Sequence, residues 1–343
     1  MTAPTVLRAT MVAMTSIALV LGAGGVVGSA FHAGTLAAIA ESTGWDARSA
    51  DLLVGTSAGS GIAATLRAGL SPADHFARAQ GDELSDEGRQ VAIALPPGPL
   101  ALPPRPGIGP LDLLRPAAPW LVAAAFLAPG PVRPGLLAGL LPRGSVDTTP
   151  MGDRVRLLTS GRWPARPTWV CATRLRDGKR VVFGRDDVEV PDLGTAVEAS
   201  SAVPGYFSPV PIGPHEYVDG ALFSPTNADL VARLGYDLVV VVSPMSAASE
   251  ALDLAPGSAG RGLNARALAR EVGRIREQGT PVIVIQPSRE DLAVMGRDLM
   301  APAAAAATAR QIRSSVRRQL ERDDLRERVD LLVAASMIEP AHP

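Results

Sequence analysis

The residues best suited to chemistry in this sequence form a glycine-serine pattern, Gly55-Thr56-Ser57-Ala58-Gly59, whose first glycine ends the apolar stretch DLLVG. Small residues on both sides of such a serine permit a tight strand-to-helix turn that exposes the hydroxyl. The N–H groups and the dipole of the following helix would stabilise negative charge there. The pattern therefore predicts a nucleophilic Ser57 supported by Gly55 and Gly59. The alternative is a tight turn with no catalytic role.

A second glycine-rich segment, GAGGVVG, follows the apolar stretch SIALVL and precedes a predicted helix. Its N–H groups can point at an anion, which suits either a dinucleotide phosphate or the oxyanion of an acyl transfer. A dinucleotide site needs G-x-G-x-x-G, but Val27 occupies the third glycine position and no suitably spaced acidic residue ends a second strand. An oxyanion hole fits better; its predicted donors and supporting glycines are Gly24, Gly25, Val26, Gly22 and Gly28.

Histidine is a poor candidate for the base that would activate Ser57. In α/β-hydrolases the order along the chain is serine, acid, histidine, and the only histidine late enough is His342, one residue from the end. The other three histidines fall on predicted helices or in a Pro-Gly turn; they are His32, His75 and His215.

A carboxylate is the alternative base, and Asp219 in EYVDGA is the candidate. It ends a short predicted strand, and Gly220 leaves the following backbone free, so the carboxylate could accept the serine proton directly. An Asp-Gly pair is also a common hairpin turn, so Asp219 taken alone is ambiguous.

Short apolar strands alternate with helices along most of the chain, which predicts an α/β fold. An arginine and an apolar run near the N-terminus resemble a secretory signal, but a short apolar run bounded by glycine favours a buried first strand at Ser16–Leu21. The other predicted strands are Asp51–Gly55, Thr168–Ala172, Arg180–Phe183, Asp237–Val242 and Pro281–Gln286, and the predicted helices are Ser29–Glu41, Ser60–Ala68, Leu193–Ala202 and Asn264–Gln278.

Two segments depart from this alternation. Residues from about 94 to 142 are rich in Pro, Gly and Leu, which suits a lid over an apolar site, a membrane-surface contact or a variable loop. Its apolar piece Trp120–Ala128 is shorter than the ~20 residues that span a bilayer. Ala303–Ala335 has the spacing of an amphipathic helix. We therefore predict a catalytic domain over residues 15–300 and a helical appendix over 301–343.

Charge and composition exclude several classes of function. Of the 343 residues, 33 are Lys or Arg and 34 are Asp or Glu, so the protein has no overall positive electrostatic field that would favour binding of nucleic acid. No metal-type cluster of Cys and His occurs, and we predict neither a metal nor a cofactor. The single cysteine, Cys171, fits a reducing compartment, which favours a cytoplasmic protein. The oligomeric state is not indicated.

Four motifs in order, LVLGAGGVVGSAFHAGTL, VGTSAGS, ASSAVPGYFSPV and VDGALFSPTNADL, resemble the patatin-like phospholipase family over about Ile17 to Val242. The resemblance implies a three-layer α/β/α fold with a mostly parallel central sheet, and it implies no Ca²⁺ or nucleotide. It places a catalytic dyad on Ser57 and Asp219 and an oxyanion hole on the amides of Gly24, Gly25 and Val26.

Two residues depart from the family's glycine motif: Ala23 stands where the first glycine is usual, and Val27 where arginine is frequent. Backbone donors survive these changes, but an arginine-dependent contact would be lost. By similarity, ASSAVPGYF would be a structural helix-turn near the site, and Asn227 would support the loop that carries Asp219.

The expected function is a serine acyl hydrolase that cleaves acyl esters of lipids through an acyl-enzyme. Lipid or another acyl ester would be its substrate, with peripheral contact to a membrane surface as a further expectation. Two alternatives stay open. An acyltransferase or thioesterase would use the same intermediate, and a noncatalytic member would bind lipid with its site closed.

Overall fold

The computed structural model describes residues 15–95, 103, 107, 116–121, 135, 139–186, 192–251 and 258–337. Most of the Pro-rich insertion, the region before the first strand and His342 lie outside the described residues.

The described strands form one sheet in the order β5-β6-β3-β2-β1-β7-β8, and β4 pairs with β3. Pairs β1–β2, β1–β7, β2–β3 and β7–β8 are parallel, whereas β3–β4, β3–β6 and β5–β6 are antiparallel. The mostly parallel sheet is therefore confirmed. The strands are β1 (Ile17–Leu21), β2 (Leu52–Thr56), β3 (Thr168–Arg174), β4 (Arg180–Phe183), β5 (Val210–Ile212), β6 (His215–Asp219), β7 (Leu238–Val242) and β8 (Val282–Ile285).

Helices cover both faces of this sheet, which gives the three layers that the resemblance implied. The inward-pointing residues of β1 alternate: Leu19 and Leu21 pack with the helix that follows β1, and Ala18 and Val20 pack on the opposite side. The helices are α1 (Gly25–Thr43), α2 (Ala58–Arg67), α3 (Pro72–Gln80), α4 (Asp86–Val91), α5 (Thr149–Thr159), α6 (Leu193–Ser201), α7 (Ser258–Arg276), α8 (Arg289–Met295), α9 (Ala305–Leu320) and α10 (Arg326–Ser336).

One edge of β3 explains how two distant segments meet. Strand β4 pairs with residues 170–173 of β3, so β2 and β6 must share the other edge. Strand β2 runs parallel to β3 and ends with Thr56 opposite Cys171, while β6 runs antiparallel and ends with Asp219 opposite Ala172. Because these partners are consecutive on β3, the C-terminal ends of β2 and β6 face each other.

Three expectations about element boundaries are corrected. Helix α1 begins at Gly25, four residues before the predicted start at Ser29, because tertiary contacts override the weak helix preference of GVVG. His215 is the first residue of β6 rather than a residue of a Pro-Gly turn. The single helix expected over Ala303–Ala335 is divided into α9 and α10 by a short turn.

Helices α9 and α10 contribute to the core beneath α1, with Ile312, Val316 and Leu332 buried there. The division of the chain at residue 300 stays a prediction. In the part of the chain that the structure describes, no helix combines the length and the apolar character that a membrane span requires.

Candidate active site

Ser57 stands at the turn between β2 and α2, where it is the N-cap residue of the helix. Its backbone has φ 52° and ψ −120°, a conformation that residues other than glycine rarely adopt and that persists only where the surrounding structure enforces it. The Ser57 carbonyl accepts hydrogen bonds from the amide of Ser60 at 2.8 Å and from its hydroxyl at 2.6 Å. With 6% of its surface exposed, Ser57 is a strained, nearly buried residue at a helix N-terminus.

The glycines around Ser57 are required by close packing of backbone on backbone. A Cβ atom at Gly59 would lie 2.0 Å from the carbonyl oxygen of Leu21, the last residue of β1. One at Gly55 would lie 2.5 Å from the Cα of Ser60. These contacts allow α2 to start directly beside the end of β1, as the predicted supporting role of both glycines requires.

Asp219 is 2% exposed and lies where β6 ends opposite β2. The Ala221 amide donates a hydrogen bond to Oδ1 of its carboxylate at 2.8 Å. Burial raises the pKa of Asp219 from 3.8 to about 6, and the nearby Ser57 side chain and the Ala221 amide oppose the rise. Gly220 begins a 3-10 turn rather than a hairpin, and a Cβ there would lie 2.3 Å from the Cys171 carbonyl oxygen.

Ser200, in the ASSAVPGYF segment, contacts the nucleophile turn directly. The buried Ser200 hydroxyl accepts a hydrogen bond from the Ser57 amide at 2.9 Å and donates one to the Cys171 carbonyl at 2.6 Å. Two residues later, the Ala202 carbonyl accepts a hydrogen bond from the Asp219 amide at 3.0 Å. The end of α6 therefore holds both members of the candidate dyad, a contact that residue spacing could not reveal.

The amides proposed for the oxyanion hole have no acceptor in the part of the chain that the structure describes. Among the described residues, the amides of Gly24, Gly25 and Val26 have no hydrogen-bond acceptor, whereas Val27 donates to the Leu299 carbonyl at 2.9 Å. The first amides of a helix have no acceptor within the helix, so an anion can take that place.

Close contacts also hold the backbone of this glycine turn. Gly25 has φ 61°, and a Cβ there would lie 2.8 Å from both the Leu299 oxygen and the Met300 sulfur. Sequence reasoning missed this contact with residues 299 and 300, which lie far along the chain. Of the two outer glycines, Gly22 leaves 3.0 Å between its Cβ position and the Val242 oxygen, and Gly28 has ordinary space, 3.5 Å from Pro244.

The loop after Asp219 links the glycine turn to the serine turn. The Pro225 carbonyl accepts a hydrogen bond from the Ala23 amide at 2.8 Å. Asn227 has φ 54° and donates from Nδ2 to the Thr56 hydroxyl at 3.1 Å and to the Ser224 carbonyl at 2.7 Å. Asn227 therefore ties the loop to the residue directly before Ser57, in agreement with the supporting position expected for it.

The described histidines make no hydrogen bond to Ser57 or Asp219. His32 donates from Nε2 to the Gly22 carbonyl at 2.7 Å, and burial lowers its pKa to about 4, so the ring is neutral and structural. Burial likewise lowers the pKa of His75 to about 3. The geometry thus favours Asp219 over the described histidines as the group that can accept the Ser57 proton.

The described parts of the Pro-rich insertion pack beside β6. Ala118 and Leu121 form an apolar cluster with Leu175, Val218 and Leu222, and Trp120 donates from its indole to the Leu175 carbonyl at 3.2 Å. A cavity lined by Leu175, Val218 and Leu222 together with Ala117 and Gly139 of the insertion has a volume of about 10 Å³, which matches roughly one water molecule. The insertion thus covers apolar residues that flank Asp219 in the sequence.

Among the residues described, no group of three or more His, Cys, Asp and Glu side chains is arranged to hold a metal ion.

A sequence model of the patatin-like phospholipase family matches residues 19–232, which is more than half of the chain. The chain therefore belongs to the patatin-like phospholipase family, whose members are lipid acyl hydrolases, and the resemblance drawn from the four motifs is confirmed. Among solved structures, the chain is similar to the type III effector protein ExoU at 19% identity and a TM-score of 0.40. The match covers 90% of this chain and 53% of that one, so the chain spans about half of its length. Comparison with curated protein sequences gives no significant match.

Proposed function

We propose that this protein is a serine acyl hydrolase that cleaves acyl esters of lipids, with Ser57 as nucleophile and Asp219 as general base. The observation that carries the proposal is the meeting of the two residues: Thr56, directly before Ser57, and Asp219 lie opposite consecutive residues of β3, with Ser57 at the N-terminus of α2 and Asp219 buried. The glycine turn supports it, because its amides of Gly24, Gly25 and Val26 have no acceptor among the described residues and acyl transfer needs donors for the developing oxyanion.

In the proposed cycle, Asp219 takes the Ser57 proton as Oγ forms a bond to the ester carbonyl carbon. The carbonyl oxygen becomes an oxyanion and accepts hydrogen bonds from the amides of Gly24, Gly25 and Val26. Collapse breaks the bond to the alcohol oxygen, which leaves with the proton from Asp219. Water then attacks the acyl-enzyme, its proton passes to Asp219 and returns to Ser57, and the free acid leaves.

The environment of Asp219 suits this task. An exposed aspartate has a pKa near 3.9 and is a weak base, whereas a base is most effective when its pKa lies near the working pH. Burial raises the pKa of Asp219 to about 6, which brings it closer to neutrality while keeping the carboxylate ionised there. The same site therefore supplies an ionised acceptor with increased basicity.

The pH dependence of kcat/KM is expected to follow the ionisation of Asp219. Activity requires the carboxylate, so kcat/KM should be constant at neutral pH and should fall with decreasing pH, reaching half of its maximum near pH 6. Initial rates on a soluble acyl ester would measure this, and return of acid-treated enzyme to neutral pH controls for unfolding. Half-maximal activity near pH 4 would contradict the role of the buried carboxylate.

The substrate class is proposed to be long-chain acyl esters. Membership of the patatin-like phospholipase family supports this assignment, and transfer of each buried CH₂ of an acyl chain from water is worth about 0.8 kcal/mol. In a series of p-nitrophenyl esters, kcat/KM is expected to increase from short to long acyl chains. Equal values along the series would refute a lipid preference. Addition of an alcohol acceptor separates the outcomes, because a new ester in place of free acid would identify an acyltransferase.

A further inference from the structure

Glu271, in the C-terminal half of α7, is a buried carboxylate that the proposed chemistry does not use. It is 8% exposed and accepts three hydrogen bonds. Oε1 accepts from the Ser224 hydroxyl at 2.5 Å, and Oε2 accepts from the Thr226 hydroxyl at 2.6 Å and the Ala228 amide at 2.9 Å. Burial raises its pKa, and these bonds oppose the rise. A buried carboxylate is tolerated when its oxygens accept hydrogen bonds in this way. Because the three donors belong to residues 224–228, the positions of Glu271 and of this loop depend on each other.

The loop that Glu271 holds, residues 224–228, contacts all three segments of the candidate active site. Pro225 accepts the hydrogen bond from Ala23 in the glycine turn. Asn227 donates to Thr56, which precedes the nucleophile. The Ser224 amide donates to the Gly220 carbonyl at 3.2 Å, directly after Asp219. A shift of this loop would therefore move the oxyanion donors relative to Ser57.

The same helix also holds the loop on the other side of the glycine turn. Arg261 donates to the carbonyls of Pro244 and Ser246 at 2.7 and 3.0 Å, and Asn264 donates to the Met245 carbonyl at 3.0 Å. Pro244 packs against the turn, 2.9 Å from the Cβ position of Gly24. Helix α7 lies beyond residues 19–232, the part that the family model matches.

We infer that Glu271 is a positioning residue for the acyl-transfer site, which fixes the 224–228 loop and, through the Ala23–Pro225 and Asn227–Thr56 hydrogen bonds, aligns the oxyanion donors with Ser57. The kinetic part of this inference rests on the proposed function. Glu271 itself does not touch the reacting atoms, so its effect is on kcat rather than on substrate affinity.

Glu271→Ala is the variant that tests the inference. Its kcat per active site, with sites counted by titration with a fluorophosphonate, is expected to fall about 10-fold to 100-fold, because small displacements of catalytic groups have effects of this size. KM should change little. Glu271→Gln keeps the shape and an acceptor oxygen for Thr226 and Ala228, and should recover most of the loss. The control is Glu277→Ala, at an exposed position just after α7, with wild-type kinetics expected.

Amide hydrogen exchange tests the same contacts without any need for activity. In Glu271→Ala, peptides that contain Ala23 and residues 224–228 should exchange faster than in wild type, while peptides of β7 should not. Unchanged exchange at Ala23, or a kcat per titrated site equal to wild type, would overturn the inference. If the wild-type protein shows no Ser57-dependent turnover, the proposed function is refuted instead. Hydrogen exchange would still decide whether Glu271 holds the 224–228 loop.

Discussion

Ser57→Ala is expected to reduce kcat for acyl-ester hydrolysis on the order of 10⁴-fold to 10⁶-fold, the range for loss of a nucleophile in serine hydrolases. The variant lacks Oγ, so no acyl-enzyme can form, and the amides of the glycine turn then have no covalent adduct to stabilise. The backbone should be retained, since alanine fits the small-residue turn and the hydrogen bonds of the Ser57 carbonyl and amide do not involve its side chain. Hydrolysis of a p-nitrophenyl ester measures the effect.

The matched control for this variant is Ser249→Ala, at an exposed position away from the dyad. Circular dichroism and thermal unfolding establish that both variants are folded. Wild-type turnover by folded Ser57→Ala would show that Ser57 is not the nucleophile.

Asp219→Asn is expected to reduce kcat by at least about 10⁴-fold while making the fold more stable. Asparagine cannot take the Ser57 proton, but it retains an oxygen that can accept the Ala221 hydrogen bond. The stability effect follows from the raised pKa: the folded state binds the proton more tightly than the unfolded state, so the buried carboxylate lowers stability as pH rises from 3.8 to about 6. At about 1.4 kcal/mol per pKa unit, the loss above pH 6 is about 3 kcal/mol.

Urea unfolding at two pH values measures this difference. Asp219→Asn should exceed wild type in its free energy of unfolding at neutral pH and approach it in acid. Asp86→Asn, with 89% of the Asp86 side chain exposed, is the control that should change neither activity nor stability appreciably. Retained turnover in Asp219→Asn would show that another group accepts the serine proton. Loss of stability at neutral pH would contradict the desolvated state of the carboxylate.

Local patterns were sufficient to predict β1, β2 and the placement of Ser57 between a strand and a helix. Strand β2, Leu52–Thr56, is buried throughout as a short parallel strand requires, and Gly55 and Gly59 make close contacts that exclude a Cβ. The start of α1 could not be predicted in the same way, because Gly24 and Gly25 disfavour helix and the turn is held by Leu299 and Met300 from a distant segment.

The meeting of Ser57 with Asp219 required information that no local pattern contains. Residue spacing is equally consistent with Asp219 in a hairpin turn. The two residues come together only because β2 and β6 both pair with the same edge of β3. The hydrogen bond from the Ser57 amide to Ser200 is likewise long-range. The family resemblance implies that Ser57 and Asp219 act together, and their catalytic roles stay predictions.

The most direct test of the central claim is covalent labelling of the wild-type protein by a fluorophosphonate, with the adduct located by tandem mass spectrometry. We expect one adduct per chain on Ser57, slower labelling of Asp219→Asn, and no labelling of Ser57→Ala. A folded wild-type protein that stays unlabelled, or that carries the adduct on another residue, would contradict the assignment of Ser57 as the activated nucleophile.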